Sequence, residues 1–176
     1  MNHIMIDIET LGLAASSKIL SIGAVAFTIG TDVTYPFYRT VETKAGQEYR
    51  TTTDSTIKWW SEQDESIIQE AHSGVTLLRD VLFMLDNFIR YYPKDTLIWC
   101  KGVNFDFPIL EHAFIENNIT IPWKYYQLMD CRTAFNMFKD RVPKEPNSNA
   151  HNALEDAIAQ AKQLQKCLIL ADGGIL

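Results

Sequence analysis

The chain has 176 residues, 47% of them hydrophobic, and a formal net charge of −6. That length supports one packed domain over residues 1–176. The acidic balance excludes broad coating of duplex DNA or RNA, which needs many Lys and Arg contacts, but not a small cleft that takes a chain end while cations bridge the negative groups. The cysteines Cys100, Cys131 and Cys167 are scattered and make no CxxC, so neither a disulfide framework nor a zinc knuckle is indicated. No basic region precedes an apolar run at the N-terminus, and no stretch approaches a membrane span, so a cytoplasmic protein in reducing conditions is expected.

His3 to Ile8 reads as a short apolar strand that ends in Asp7-Ile8-Glu9-Thr10. Asp7 and Glu9 are two apart, so an extended backbone points both to the same side. Their repulsion must be offset by a cation or a shared proton. Ile19 to Ile29 is a second strand, in which Gly23 and Ala24 permit close backbone approach. Gly30-Thr31-Asp32 reads as a hairpin turn into Val33–Val41, where Tyr35, Phe37 and Tyr38 suit a third strand. The first three strands are therefore expected to be antiparallel.

Glu42 to Thr53 is polar and reads as loop. Asp54 or Ser55 can cap a short helix that carries Trp59 and Trp60, and Asp64–Ala71 adds another turn or two. Adjacent tryptophans cannot share one helix face, so one packs while the other lies nearer a cleft; burial of both in the core is the plainer alternative. Leu78, Leu82, Leu85 and Ile89 give a helix over Thr76–Tyr92, closed by Pro93. Thr96–Cys100 is a short central strand. It leads through Gly102-Val103-Asn104-Phe105-Asp106 into a helix over Phe107–Asn117. Tyr125–Met129 is a fifth strand, Arg132–Lys139 a short helix, and Arg141–Ala150 a loop rich in Pro, Asn and Ser. A last helix begins near Asn152, with Glu155 completing a capping box. This order implies an α/β or α+β domain with a mixed sheet.

Two further aspartates stand beside Asp7 and Glu9 as candidates. Asp106 follows a strand end, where open α/β sheets place ligands, although a helix cap would look the same. Asp156 lies in the second turn of the last helix among apolar neighbours, and His151 just precedes that helix. Four carboxylates can hold two divalent ions about 3.5–4 Å apart, which stabilise both oxygens of a phosphodiester displacement. A histidine beside them can take the proton of the attacking water.

Three motifs in order resemble the DEDDh, or DnaQ-like, exonucleases of ribonuclease H-like fold, a class that includes proofreading exonuclease subunits, ribonuclease T and oligoribonuclease. They are Asp7-Ile8-Glu9-Thr10-Leu11-Gly12-Leu13; Asn104-Phe105-Asp106 with Pro108 and Leu110; and His151-Asn152-Ala153-Leu154-Glu155-Asp156-Ala157. The resemblance covers about residues 3–168. The tandem tryptophans, Trp99 before Gly102, and Asp130-Cys131-Arg132-Thr133 resemble the branch with phage exodeoxyribonuclease A and an actinobacterial exoribonuclease. Cys100 and Lys101 stand where many relatives have Gly or Asn.

The resemblance implies a five-stranded mixed sheet flanked by helices. It implies that Asp7, Glu9, Asp106 and Asp156 coordinate two Mg²⁺ or Mn²⁺ ions, and that His151 is the general base. Leu11 is implied as an apolar wedge against the last base, with Phe105 near the terminal nucleotides and Thr10 and Asn104 as supporting or sugar contacts. The implied activity is 3'-5' hydrolysis of single-stranded DNA or RNA to nucleoside 5'-monophosphates; some relatives pair, so a homodimer is compatible. An RNA-specific exoribonuclease for short or structured 3' ends, a non-catalytic 3'-end or protein-binding module, and a phosphatase for small nucleotides are the alternatives. Asp130 and Arg132 suit an ion pair at the cleft, and Lys101 and Lys144 are candidates for phosphate contact.

Overall fold

The computed structural model describes residues 2–147 and 149–175. Five strands form one sheet: β1 (Asn2–Thr10), β2 (Ile19–Thr28), β3 (Thr34–Thr40), β4 (Leu97–Cys100) and β5 (Leu128–Asp130). Their order is β3-β2-β1-β4-β5. As expected, β1, β2 and β3 are antiparallel, and β4 and β5 run parallel to β1. The helices are α1 (Asp54–Ser61), α2 (Glu65–Ala71), α3 (Leu78–Arg90), α4 (Asp106–Glu116), α5 (Cys131–Met137) and α6 (Ala153–Ala171). This is the ribonuclease H-like arrangement. Tyr125–Gln127 is a 3-10 turn rather than strand; the Gln127 side chain closes it by accepting from Lys124 N, and ties it to the segment before β4 by donating to the carbonyls of Lys94 and Thr96.

The alternation of β1 decides which way its chemistry points. Ile4, Ile6 and Ile8 belong to the core under α3 and α4, with Leu78, Leu82, Leu85, Leu110 and Phe114. Met5 belongs to the opposite core, with Val25, Trp99, Ala157, Ala161 and Leu164 of α6. Period-two geometry therefore places Asp7 and Glu9 on the α6 side. Gly23, paired with Asp7 across the β1–β2 ladder, allows α6 to come that close. A Cβ there would lie 2.3 Å from the Ala153 carbonyl.

Residues 42–53 are not the solvated loop that their polarity suggests. Gln47 and Arg50 are buried. Gln47 exchanges both kinds of hydrogen bond with the Ile19 backbone. Arg50 donates to the carbonyls of Ser17, Ala15 and Ile109 and pairs with Glu116. Among the described residues, no helix is long and apolar enough to cross a membrane.

Candidate active site

The acidic groups converge where β1 and β4 part. Pairing between these strands ends at Met5 and Trp99. Beyond it, the N–H of Ile8 donates to Asp106 Oδ1 at 3.2 Å. Asp106 is the first residue of α4, with Phe105 as N-cap, so its carboxylate does not cap the helix but ties it to β1 between Asp7 and Glu9. Asp156 reaches the same place from the first turn of α6. Ligand atoms of Glu9, His151 and Asp156 all lie within 4.8 Å of one another.

Burial and mutual repulsion hold Asp7, Glu9 and Asp106 well away from ordinary behaviour. Burial first, then the charges of Asp106 and Asp156, push the Asp7 carboxyl well above the usual range; a hydrogen bond from Gln160 and the charge of Lys101 oppose this. Glu9 is pushed up to about 9 by burial and by the charges of Asp7, Asp156 and Asp106. Asp106 is raised by burial, against hydrogen bonds from its own backbone, the Ile8 N–H and the Cys100 thiol. Among the described residues no Lys or Arg forms an ion pair with any of the four. Clustered carboxylates with no cation in direct contact are the donor set that hard divalent ions take.

Several side chains orient these acids, and two of them, Gln160 and Asn147, lie outside the three sequence motifs. Gln160 Nε2 donates to Asp7 Oδ1 at 2.8 Å. Asn147 Nδ2 donates to Asp156 Oδ1 at 3.0 Å, and the His151 backbone N–H to Asp156 Oδ2 at 2.8 Å. The loop that carries His151 is thus folded onto Asp156, with His151 at φ 69. Gln160 lies four residues after Asp156, one helical turn along the same face, and that spacing was the available signal. Asn152 caps α6 by accepting from Leu154 N and Glu155 N.

The tryptophans divide as their adjacency requires. Trp60 is buried and its Nε1 donates to the Thr10 carbonyl. Trp59 is 38% exposed, and its ring meets His151 edge-on at 4.7 Å. Trp59, Phe105, Leu13, Thr10 and Glu9 line a slot of about 240 Å³.

The expected substrate residues are spread unevenly around that slot. Phe105 and Thr10 line it, and the Thr10 hydroxyl donates to the Gly12 carbonyl. Leu11 packs behind it with Leu20, Trp60 and Ala71, whereas Leu13 is exposed within it. Asn104 is exposed outside the lining. Asp130 and Arg132 form no side-chain ion pair. Asp130 caps α5 by accepting Arg132 N, and the guanidinium donates to the Lys101 carbonyl.

Fold and site together define a class: a ribonuclease H-like domain with a carboxylate cluster at the end of its central strand. A family model described as the 3'-5' exoribonuclease Rv2179c-like domain matches residues 2–168, and the chain belongs to that family. A phage T4 protein named exodeoxyribonuclease is 27% identical over 160 residues, covering 76% of this chain and 70% of the phage protein. The crystal structure of cell-death related nuclease 4 (CRN-4) superposes with a TM-score of 0.68 at 16% identity, over 98% of this chain and 64% of that one. The nuclease domain of 3'hExo, a DEDDh family member bound to rAMP, superposes with a TM-score of 0.62 at 13% identity, over 98% and 92% of the two chains. This chain therefore spans a little under two thirds of CRN-4.

Proposed function

We propose that this chain is a single-domain, metal-dependent 3'-5' exonuclease that removes nucleoside 5'-monophosphates from single-stranded nucleic acid. The observation that carries the reading is the meeting of Glu9, His151 and Asp156 donor atoms within 4.8 Å, beside an aromatic slot. Asp7, Glu9, Asp106 and Asp156 are the residues that would hold two Mg²⁺ or Mn²⁺ ions. Bound ions of this kind stabilise the attacking and leaving oxygens of a phosphodiester.

The chain's own residues supply the rest. The slot takes the 3'-terminal nucleoside, whose base stacks on Trp59 or Phe105. Leu13, rather than the packed Leu11, is the exposed apolar wedge. His151 accepts the proton of the attacking water, and the edge of Trp59 holds its ring at the rim. Gln160 and Asn147 fix the Asp7 and Asp156 carboxylates, so little reorganisation is needed at the reacting centre.

The test uses 5'-labelled single-stranded DNA and RNA with Mg²⁺, Mn²⁺ or chelator. A ladder that shortens from the 3' end, abolished by chelator, is expected, and the relative rates give the sugar preference. His151→Ala should lose activity while keeping the rise in melting temperature on adding Mn²⁺. Asp7→Asn should lose both. A wild-type chain that leaves both polymers intact with either metal refutes the reading.

A further inference from the structure

A second cavity meets the acidic cluster at Asp156 and shares no lining residue with the terminal-base slot. It has a volume of about 300 Å³ and lies between α5, α6 and the loop before His151. Asp156 and Gln160 form the wall it shares with the acidic cluster, and Lys101 and Lys144 stand around it.

Three side chains of this cavity offer free N–H donors. Among the described residues, neither lysine ammonium forms an ion pair, and the charge of Lys101 reaches Asp7. Gln163 lines the cavity at 9% exposure, and its amide has no hydrogen-bond partner among the described residues. The acceptors are already engaged. Asp156 accepts on both oxygens, and Glu145 is paired with Lys166. Two unpaired cations and a free amide N–H make a site for an anion.

We propose that this cavity is a phosphate subsite, in which Lys101, Lys144 and Gln163 grip the phosphodiester immediately 5' of the scissile bond. The inference rests on the exonuclease reading above. With the terminal nucleoside in the slot beside Glu9, the rest of the strand leaves across the carboxylates toward this cavity. The grip holds the second nucleotide while the terminal one is removed, so a substrate needs at least two internucleotide phosphates for full affinity.

The test pairs Lys101→Gln/Lys144→Gln with oligonucleotides carrying one neutral methylphosphonate at that linkage. Both lysines are exposed, so the variant should fold. Methylphosphonate should raise the wild-type KM by about tenfold with kcat little changed, and the double variant should show a similar rise on the normal substrate. Neutral linkage and variant together should cost little more than either alone. Binding of a 5'-fluorescein oligonucleotide in chelator, followed by anisotropy, should show the salt slope falling by roughly one in the variant. Gln163→Leu should raise KM in the same direction.

Equal KM, salt slope and methylphosphonate penalty in variant and wild type would overturn the subsite. So would an effect confined to inhibition by added nucleoside 5'-monophosphate, since the cavity would then hold released product. If the wild type degrades no polymer at all, the exonuclease reading fails instead.

Discussion

The close backbone approach at Gly23 offers the sharpest test of how the site is assembled. In Gly23→Ala, the new Cβ would stand 2.3 Å from both the carbonyl carbon and oxygen of Ala153, and 2.4 Å from Leu154 N. Ordinary contact begins at 3.4 Å, so the first turn of α6 must withdraw by about 1 Å. The obstructing atoms are backbone, so no rotamer change relieves the clash. That turn carries Asp156, and Gly23 faces Asp7 across the ladder.

Overpacking of this kind costs about 1–3 kcal/mol. For a domain of this size, that is a fall in melting temperature of roughly 2–12 °C. A shift of about 1 Å at a reacting centre costs on the order of 100-fold in rate. Thermal unfolding with and without Mn²⁺, together with kcat on an oligonucleotide, reads both effects. Leu82→Ala is the control. It lies in the opposite core and is expected to cost about 2–5 kcal/mol while leaving the Mn²⁺-induced stabilisation intact. If Gly23→Ala keeps wild-type stability and the full response to Mn²⁺, the account of how α6 delivers Asp156 is wrong.

Other perturbations separate the remaining roles. Trp59→Ala removes one wall of the slot and the edge that holds His151; stacking of about 1–3 kcal/mol should vanish, raising KM roughly 5- to 150-fold, with Trp59→Phe recovering much of it. No change in KM would dismiss Trp59 as a base platform. Gln160→Leu deletes the hydrogen bond to Asp7, and Mn²⁺ affinity measured calorimetrically should fall about 10- to 100-fold. An undiminished affinity would mean that Asp7 needs no orientation by Gln160.

His3 makes its own contribution to acid sensitivity, opposite in sign to that of the raised carboxylates Asp7, Glu9 and Asp106, and comparison with a variant isolates it. His3 is 3% exposed, stacks on Phe27, and accepts at Nδ1 from Trp99 Nε1 at 3.0 Å. Burial lowers its pKa to about 4. Because the folded value lies below the unfolded one of about 6.5, its contribution is complete above pH 6.5 and is lost as pH falls toward 4. Between pH 7 and pH 5 this should remove about 2 kcal/mol from denaturant-measured stability. His3→Gln should lack that part of the pH dependence; the same acid sensitivity in both proteins would assign it elsewhere.

How much of this was legible beforehand depends on the range of the signal. Local patterns were dependable: the alternation Ile4, Ile6, Ile8 against Met5, Asp7, Glu9 marks the two faces of β1, and the small residue at Gly23 marks a close approach. The order and spacing of the motifs also pointed to Asp7, Glu9, Asp106, Asp156 and His151; donor atoms of Glu9, His151 and Asp156 lie within 4.8 Å of one another, and the charges of Asp106 and Asp156 act on Asp7. Burial of Arg50 and Gln47 was invisible, because a polar residue looks solvated until its distant carbonyl partners are known. The exchange of Leu11 for Leu13 in the slot was equally hidden, since both flank the same glycine turn.

The sequence by itself determined the faces of each element and the chemistry placed on them, because side-chain direction follows from backbone period alone. Only the tertiary structure decided which faces meet. It set Gln160 against Asp7 and Asn147 against Asp156, turned Trp59 toward His151, and left Lys101 and Lys144 around one cavity. Those pairings depend on how helices pack across a twisted sheet, and no window along a single chain contains that distance.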